Sequence, residues 1–209
     1  MKLRLLRRGF SESEIVFVSS GMNLKIAEQV SAQIKKYDVI WLGRIHRQKG
    51  IDDLLATLAF LSKEIVDFRA VLVGRLDELA PRLAELNLSG CVKLSGLVSE
   101  EEKFRLFKSS RIFLMPSRQE SWGIVIAEAL ACDVPVVAYD LPAYRPIFGS
   151  LIEYVPCFDF EIFKNKSLET VEKARCGEII LDEQKLQQLK NEHSLEMSGK
   201  RFAATARDF

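Results

Sequence analysis

Six short runs of this chain are apolar along nearly their whole length: EIVFVSS (14–20), DVIWLG (38–43), RAVLVG (69–74), CVKLSG (91–96), RIFLMPS (111–117) and VPVVAYD (134–140). A strand with one wet face alternates apolar and polar residues. A continuous run rich in Val, Ile and Leu is instead the pattern of a strand covered on both faces. Helical patterns lie between these runs. GIDDLLATLAFLSKEI, DELAPRLAEL and EEEKFRLFKSS repeat their apolar residues at helical spacing, and Ser99 with Glu102 makes a capping box for the third. Strand and helix alternate about six times, which predicts an α/β domain, doubly wound, with a parallel sheet covered by helices on both faces. Past residue 150, LIEYVP reads as a last short strand. Two C-terminal helices are expected from about residue 158 onward, the second running through DEQKLQQLKNEHSLEMSGKRFAATARDF. The whole chain, 1–209, reads as one domain, without internal repeat or linker.

Composition narrows the function classes. Hydrophobic content of 48% with 28% charge suits a soluble globular domain, and a formal net charge of +1 gives no reason to expect nucleic acid as partner. No run reaches the ~20 apolar residues of a membrane helix, and no signal peptide follows the basic start. A cytoplasmic location is therefore expected. The opening MKLRLLRRGF has two readings, a solvated helix face or a peripheral contact with acidic lipid at the inner membrane face. Cys91, Cys132, Cys157 and Cys176 form no C-x-x-C and only two histidines accompany them, so no metal site is expected.

In a doubly wound sheet the ligand sits at the carboxyl ends of the strands, so the residues just after each run are the ones to weigh. After DVIWLG come Arg44 and Lys49, then Gly50 at the start of a helix. Two cations near a helix N-terminus suit a phosphate or diphosphate, and a solvated basic turn would look the same. Gly74 and Gly96 end strands, either as plain turns or to let a ligand approach the backbone. After RIFLMPS comes ESWGIVIAE, in which Glu120 and Glu128 bracket seven uncharged residues. A carboxylate is costly to bury unless paired or hydrogen-bonded. Either Glu120 is a loop residue and Glu128 lies on a wet face, or both serve a ligand at the helix end near Trp122 and Gly123.

WLGRIHRQKGIDDLL, AVLVG and VKLSGLVSEEEKFRLFKSSRIFLMPSRQESWGIVIAEALACDVPVVAYDLP together resemble the carboxyl-terminal half of group 1 (family 4) glycosyltransferases of the GT-B fold. The G-R-x4-K-G loop and the E-x7-E motif, in this order and spacing, carry the resemblance, from about residue 9 to at least residue 149. It implies a Rossmann-like donor-binding domain, and a retaining transfer of a hexose from a nucleoside-diphosphate sugar to a glycan or lipid-linked acceptor. It implies no metal and no cofactor besides the donor. In the implied site Gly43, Arg44 and Lys49 face the donor diphosphate. Glu120 holds hydroxyls of the transferred sugar, and the backbone of Ser121, Trp122, Gly123 and Ile124 meets phosphate and sugar. Glu128 holds the ribose, and the turn Gly96, Leu97, Val98 lies by the base. Arg44, Lys49 and Glu120 carry the catalytic roles. The chemistry suits the residue types, because a carboxylate can accept two hydroxyls of a diol and fixed cations stabilise the charge that builds on a leaving diphosphate.

This chain has Ser121-Trp122 where the family commonly has Gly-Phe, and Asp133 where Gly usually precedes x-P-V-V. The family's amino-terminal acceptor domain has no counterpart in these residues, so the expectation is a chain inactive by itself. Two alternatives stand beside the donor domain: a non-catalytic nucleotide-sugar-binding module, and another GT-B enzyme such as a sugar-nucleotide epimerase.

Overall fold

The computed structural model of the chain describes residues 5–15 and 24–205. Most of the apolar run at 14–20, and the first four residues of the basic opening, lie outside the described residues. The other five runs all form strands, and LIEYVP adds a sixth. They are β1 (Tyr37–Leu42), β2 (Ala70–Val73), β3 (Val92–Leu94), β4 (Ser110–Met115), β5 (Val136–Tyr139) and β6 (Glu153–Val155). Every pairing is parallel, in the order β3-β2-β1-β4-β5-β6.

The continuous apolarity of the strands has the expected cause. Alternate residues of the four inner strands, β2, β1, β4 and β5, belong to different cores, one on either face of the sheet. Ile40, Val71, Phe113 and Ala138 join one core, with Phe104 and Phe107 of α4 (Glu100–Lys108) and Ile126 and Leu130 of α5 (Ile124–Ala131). Val39, Trp41, Leu72, Leu114 and Val137 join the other, with Leu54 and Leu58 of α2 (Ile51–Glu64) and Phe163 and Val171 of α7 (Phe160–Cys176). The smaller helices are α1 (Lys25–Gln29), α3 (Ala80–Glu85) and α6 (Arg145–Phe148). Within DELAPRLAEL the helix is shorter than its apolar pattern, because a 3-10 turn over Asp77–Leu79 precedes α3.

The C-terminal end departs from expectation. Where one helix was expected after α7 there are two, α8 (Glu183–Glu192) and α9 (Leu195–Thr205). The break has a local cause: the Ser194 hydroxyl accepts the Met197 N–H at 3.2 Å and so caps a new helix. His193, just before it, turns its ring edge-on to Trp122 at 5.1 Å.

At the amino ends of the strands, buried Asp38 receives Arg175 of α7 through two bonds, Nε at 2.7 Å and Nη2 at 2.8 Å, and the Arg69 N–H at 3.0 Å. This clamp ties α7 across that edge. The opposite edge is left to the loops. Sequence order reverses direction between β1 and β4, so the crevice above their carboxyl ends is the topological switch point of the sheet.

Candidate functional site

Two loops meet at the switch point, one leaving β1 and one leaving β4. Gly50, at the amino end of α2, has φ +62°, and a Cβ there would lie 1.9 Å from the Pro116 carbonyl oxygen. Only glycine lets the two backbones approach so closely. The Arg118 N–H donates to the Gln48 carbonyl at 2.7 Å, and the Gln48 side-chain amide donates to Gln119 Oε1 at 2.8 Å. Across this seam Lys49 Nζ is bonded to Glu120 Oε1. Buried Ser117 adds its hydroxyl to the same oxygen at 3.1 Å. The sequence therefore placed Lys49 and Glu120 correctly in neighbouring loops, but their direct pairing was not foreseen.

The two readings of the basic loop divide between its cations. Arg44 is exposed and has no ion-pair partner among the described residues. Lys49 is half-buried and paired. A second glycine contact fixes the start of this loop: at Gly74, φ +141°, a Cβ would lie 2.1 Å from the Gly43 carbonyl oxygen. Gly43 donates to Val73 at 3.0 Å, and Gly74 donates to Gly96 at 2.9 Å. Gly43, Gly74 and Gly96 thus step across the ends of β1, β2 and β3, and the Gly96–Val98 turn lies at the far end of that row. Leu97 is exposed there while Val98 packs on the core.

α5 begins at the end of the β4 loop, with Gly123 as its N-cap at φ +90°. Ile126 donates its N–H to the Gly123 carbonyl at 2.9 Å, and the N–H groups before it have no acceptor within the helix, which makes this end receptive to an anion. Ser121 and Ile124 are exposed on either side. Trp122 lies between them with its side chain buried, packed edge-on against Phe148 at 5.8 Å and His193 at 5.1 Å. With the ring enclosed, it is the backbone of Trp122 that is left for a ligand, the group the family resemblance implies.

Glu128, one turn further along α5, is not on a wet face. Its side chain is 14% exposed, and its Oε1 accepts from Lys103 of α4 at 2.7 Å. Lys103 also reaches both oxygens of Glu100, each at 2.9 Å. Burial pushes the Glu128 carboxyl above the usual range, against the hydrogen bond from Lys103 that pulls it down. For Lys103 burial acts to lower the value, but the bonds to Glu128 and Glu100 prevail and the ammonium titrates above its ordinary value.

Lys103 and Ser117 are site residues that sequence reasoning missed. Lys103 had a readable signal, since it shares its helical face with Phe107, four residues on, and a charge on an apolar stripe needs a partner. Ser117 had none, because a serine after a strand is ordinary.

The arrangement can hold an extended polar ligand. Cations and a helix end stand at the switch point, one carboxylate lies in the β4 loop, and a second lies along α5 towards the Gly96–Val98 turn, from which α4 and Lys103 follow. Among the described residues no group of three or more His, Cys, Asp or Glu could hold a metal ion. No helix there is long and apolar enough to cross a membrane.

Residues 24–157 match the family model described as glycosyl transferases group 1. A phosphatidyl-myo-inositol mannosyltransferase of Mycolicibacterium smegmatis is 36% identical over 113 residues, 53% of this chain and 29% of that protein. The enzyme of that name from Mycobacterium leprae is 31% identical over 156 residues, 70% of this chain and 41% of that protein. The matched part thus spans less than half the length of these curated relatives. Among solved structures, that of Anabaena Alr3699/HepE in complex with UDP and glucose superposes with a TM-score of 0.80 at 17% identity, over 100% of this chain and 61% of that one. The fold is that of a Rossmann-like domain of GT-B glycosyltransferases, and the chain belongs to the group 1 glycosyltransferase family.

Proposed function

We propose that these residues form the donor-binding domain of a retaining glycosyltransferase, which moves a hexose from a nucleoside-diphosphate sugar to a glycan or lipid-linked acceptor. The observation that carries this reading is the seam at the switch point, where Lys49, Glu120 and the amino end of α5 converge with Glu128 one turn further on. In this reading Arg44 and Lys49 face the diphosphate. The α5 N–H groups around Ser121 to Ile124 receive a phosphate oxygen and the sugar. Glu120 accepts sugar hydroxyls, Glu128 accepts ribose hydroxyls, and the Gly96–Val98 turn borders the base. As the sugar–phosphate bond breaks, charge gathers on the diphosphate, where fixed cations and oriented N–H groups stabilise it without reorganising.

Support for a nucleotide-sugar donor comes from the mannosyltransferase names of the relatives and from the neighbour solved with UDP and glucose. The acceptor would be presented by the facing domain of a complete GT-B cleft, in a cytoplasmic enzyme with a peripheral membrane contact where the acceptor is a lipid. Calorimetric titration of the purified chain with UDP, GDP and ADP, each with and without a sugar, tests the reading. One diphosphate is expected to bind weakly, with no sugar transfer by these residues alone. Absence of binding by all three would overturn it.

A further inference from the structure

Lys103 is the one buried lysine among the described residues, at 8% exposure. It lies on α4, outside both motifs that carry the family likeness, and its ammonium lies 4.7 Å from the Phe104 ring centroid. Burying a lysine costs free energy unless its charge is matched, and here two carboxylates match it. The two are unequal. Glu100 is exposed, with 61% of its side chain in solvent, whereas Glu128 is 14% exposed. A surface pair with Glu100 alone would not require the lysine to be buried. Its burial is explained by Glu128.

Resting on the donor-site reading above, we propose that Lys103 is a positioning residue: it holds Glu128 by Oε1 so that Oε2 is presented, ionised, to the ribose hydroxyls of the nucleotide. The geometry divides the carboxylate. Oε1 takes the 2.7 Å bond from Lys103, and among the described residues no protein group donates to Oε2. Without the lysine, Glu128 would be a half-buried carboxylate with nothing to oppose the burial that already raises its protonation. Glu100 completes the device from the solvent side, by fixing the ammonium with its two oxygens. The charged groups that act on Glu128 are these two of α4, Lys103 and Glu100.

Holding one carboxylate oxygen makes the site a reader of ribose. A site built to bond a hydroxyl rejects the analogue that lacks it. The experiment compares UDP, GDP and ADP with their 2′-deoxy counterparts by calorimetry, on the wild-type chain, Lys103→Met, Glu128→Gln and the double variant. Lys103→Met is expected to weaken the ribonucleotide roughly tenfold, the scale of one charge-assisted bond, and to bring ribo- and deoxynucleotide affinities together. In the Glu128→Gln background the same change should have little further effect, since the group it positions is gone. Equal loss for both nucleotides, no loss, or full additivity on Glu128→Gln would each overturn the proposal. Where Lys103→Met does not fold, Lys103→Gln keeps a donor without the charge and should fall between the two. A Glu128→Gln variant that weakens the ribonucleotide while Lys103→Met does not would remove the positioning role alone. Glu128→Gln without effect would remove the donor-site reading, and this inference with it.

Discussion

Alanine at Gly50 should separate the two loops that build the site, and the cost can be worked from the backbone. Gly50 has φ +62°, where a residue with a Cβ is strained by ~1–2 kcal/mol. Its Cβ would stand 1.9 Å from the Pro116 carbonyl oxygen, against an ordinary closest C···O approach of ~3.3 Å. The obstacle is backbone, so one loop must withdraw by roughly 1.4 Å on that comparison. That withdrawal breaks the bonds between Arg118 and Gln48 and between Gln48 and Gln119, each worth ~1 kcal/mol net. The total is about 3–4 kcal/mol, or roughly 6–16 °C in Tm for a domain of this size. Gly96 is the internal control. Its φ of +66° is similar, but a Cβ there meets nothing within 4 Å, so Gly96→Ala should cost only the ~1–2 kcal/mol of backbone strain. Urea denaturation of both variants gives the difference, and calorimetry with nucleoside diphosphates should find weaker binding in Gly50→Ala beyond its loss of stability. If the two variants are equally destabilised, the close approach at Pro116 does not hold the site together, and the reasoning fails.

The other expectations concern the charges. Glu128→Gln should weaken a nucleoside diphosphate and its sugar derivative alike, by ~1.5–3 kcal/mol, while Glu120→Gln should weaken the sugar nucleotide and spare the bare diphosphate; calorimetry with both ligands reads this, and identical behaviour of the two would argue against the assignment. Arg44→Ala should weaken diphosphate binding by an amount that shrinks as salt rises, because exposed charges are screened over roughly 8–10 Å at physiological salt, and Lys49→Ala should weaken it with a smaller salt dependence, since Lys49 is half-buried. A salt series that leaves both variants at wild-type affinity would return the loop to a plain basic turn. Glu169 of α7 has its carboxyl pulled down to about 2 by hydrogen bonds from Lys166 and Lys173. A depressed carboxyl adds stability above its ordinary value near 4.5 and loses it as pH falls through about 2, so Glu169→Gln should flatten the acid limb of a stability profile in that window. Parallel profiles for wild type and variant would show the two lysine bonds to be of no consequence.

How much of this was legible in the sequence depends on distance along the chain. The strands could be read because burial on both faces leaves a purely local mark, a run without alternation. The loops after β1 and β4 could be read for the same reason, once strand ends were known to matter. Pairings between distant residues could not. Glu120 and Lys49 are 71 residues apart, and Glu128 and Lys103 are 25 apart on different helices. Periodicity says that Lys103 sits on an apolar stripe but not which acid meets it. The surroundings of Trp122 were out of reach for the same reason: its ring is enclosed by Phe148 of α6 and His193 after α8, elements whose packing no local pattern predicts. The missed break at Ser194 was local after all, since a serine three residues before Met197 is an ordinary cap, hidden within a long polar helical pattern.

The lysine that meets each carboxylate gives the two glutamates of ESWGIVIAE a role in the ligand-free protein as well as in binding, and the two roles should come apart for Glu120. Lys49 and Glu120 are 20% and 15% exposed, too enclosed for the pair to be a negligible surface contact. Lys49→Met leaves Glu120 with the Ser117 hydroxyl as its remaining donor among the described residues, and should destabilise the chain by ~1–3 kcal/mol. Adding Glu120→Gln removes the stranded charge and keeps a group of the same shape, so the double variant should recover most of that stability. Nucleotide affinity should not recover, because the cation that meets the diphosphate is still missing. Urea denaturation and calorimetry on the single and double variants supply both readings. Stability that does not return with Glu120→Gln would mean that Lys49 acts through its packing. Affinity that does return would mean that the diphosphate never met Lys49.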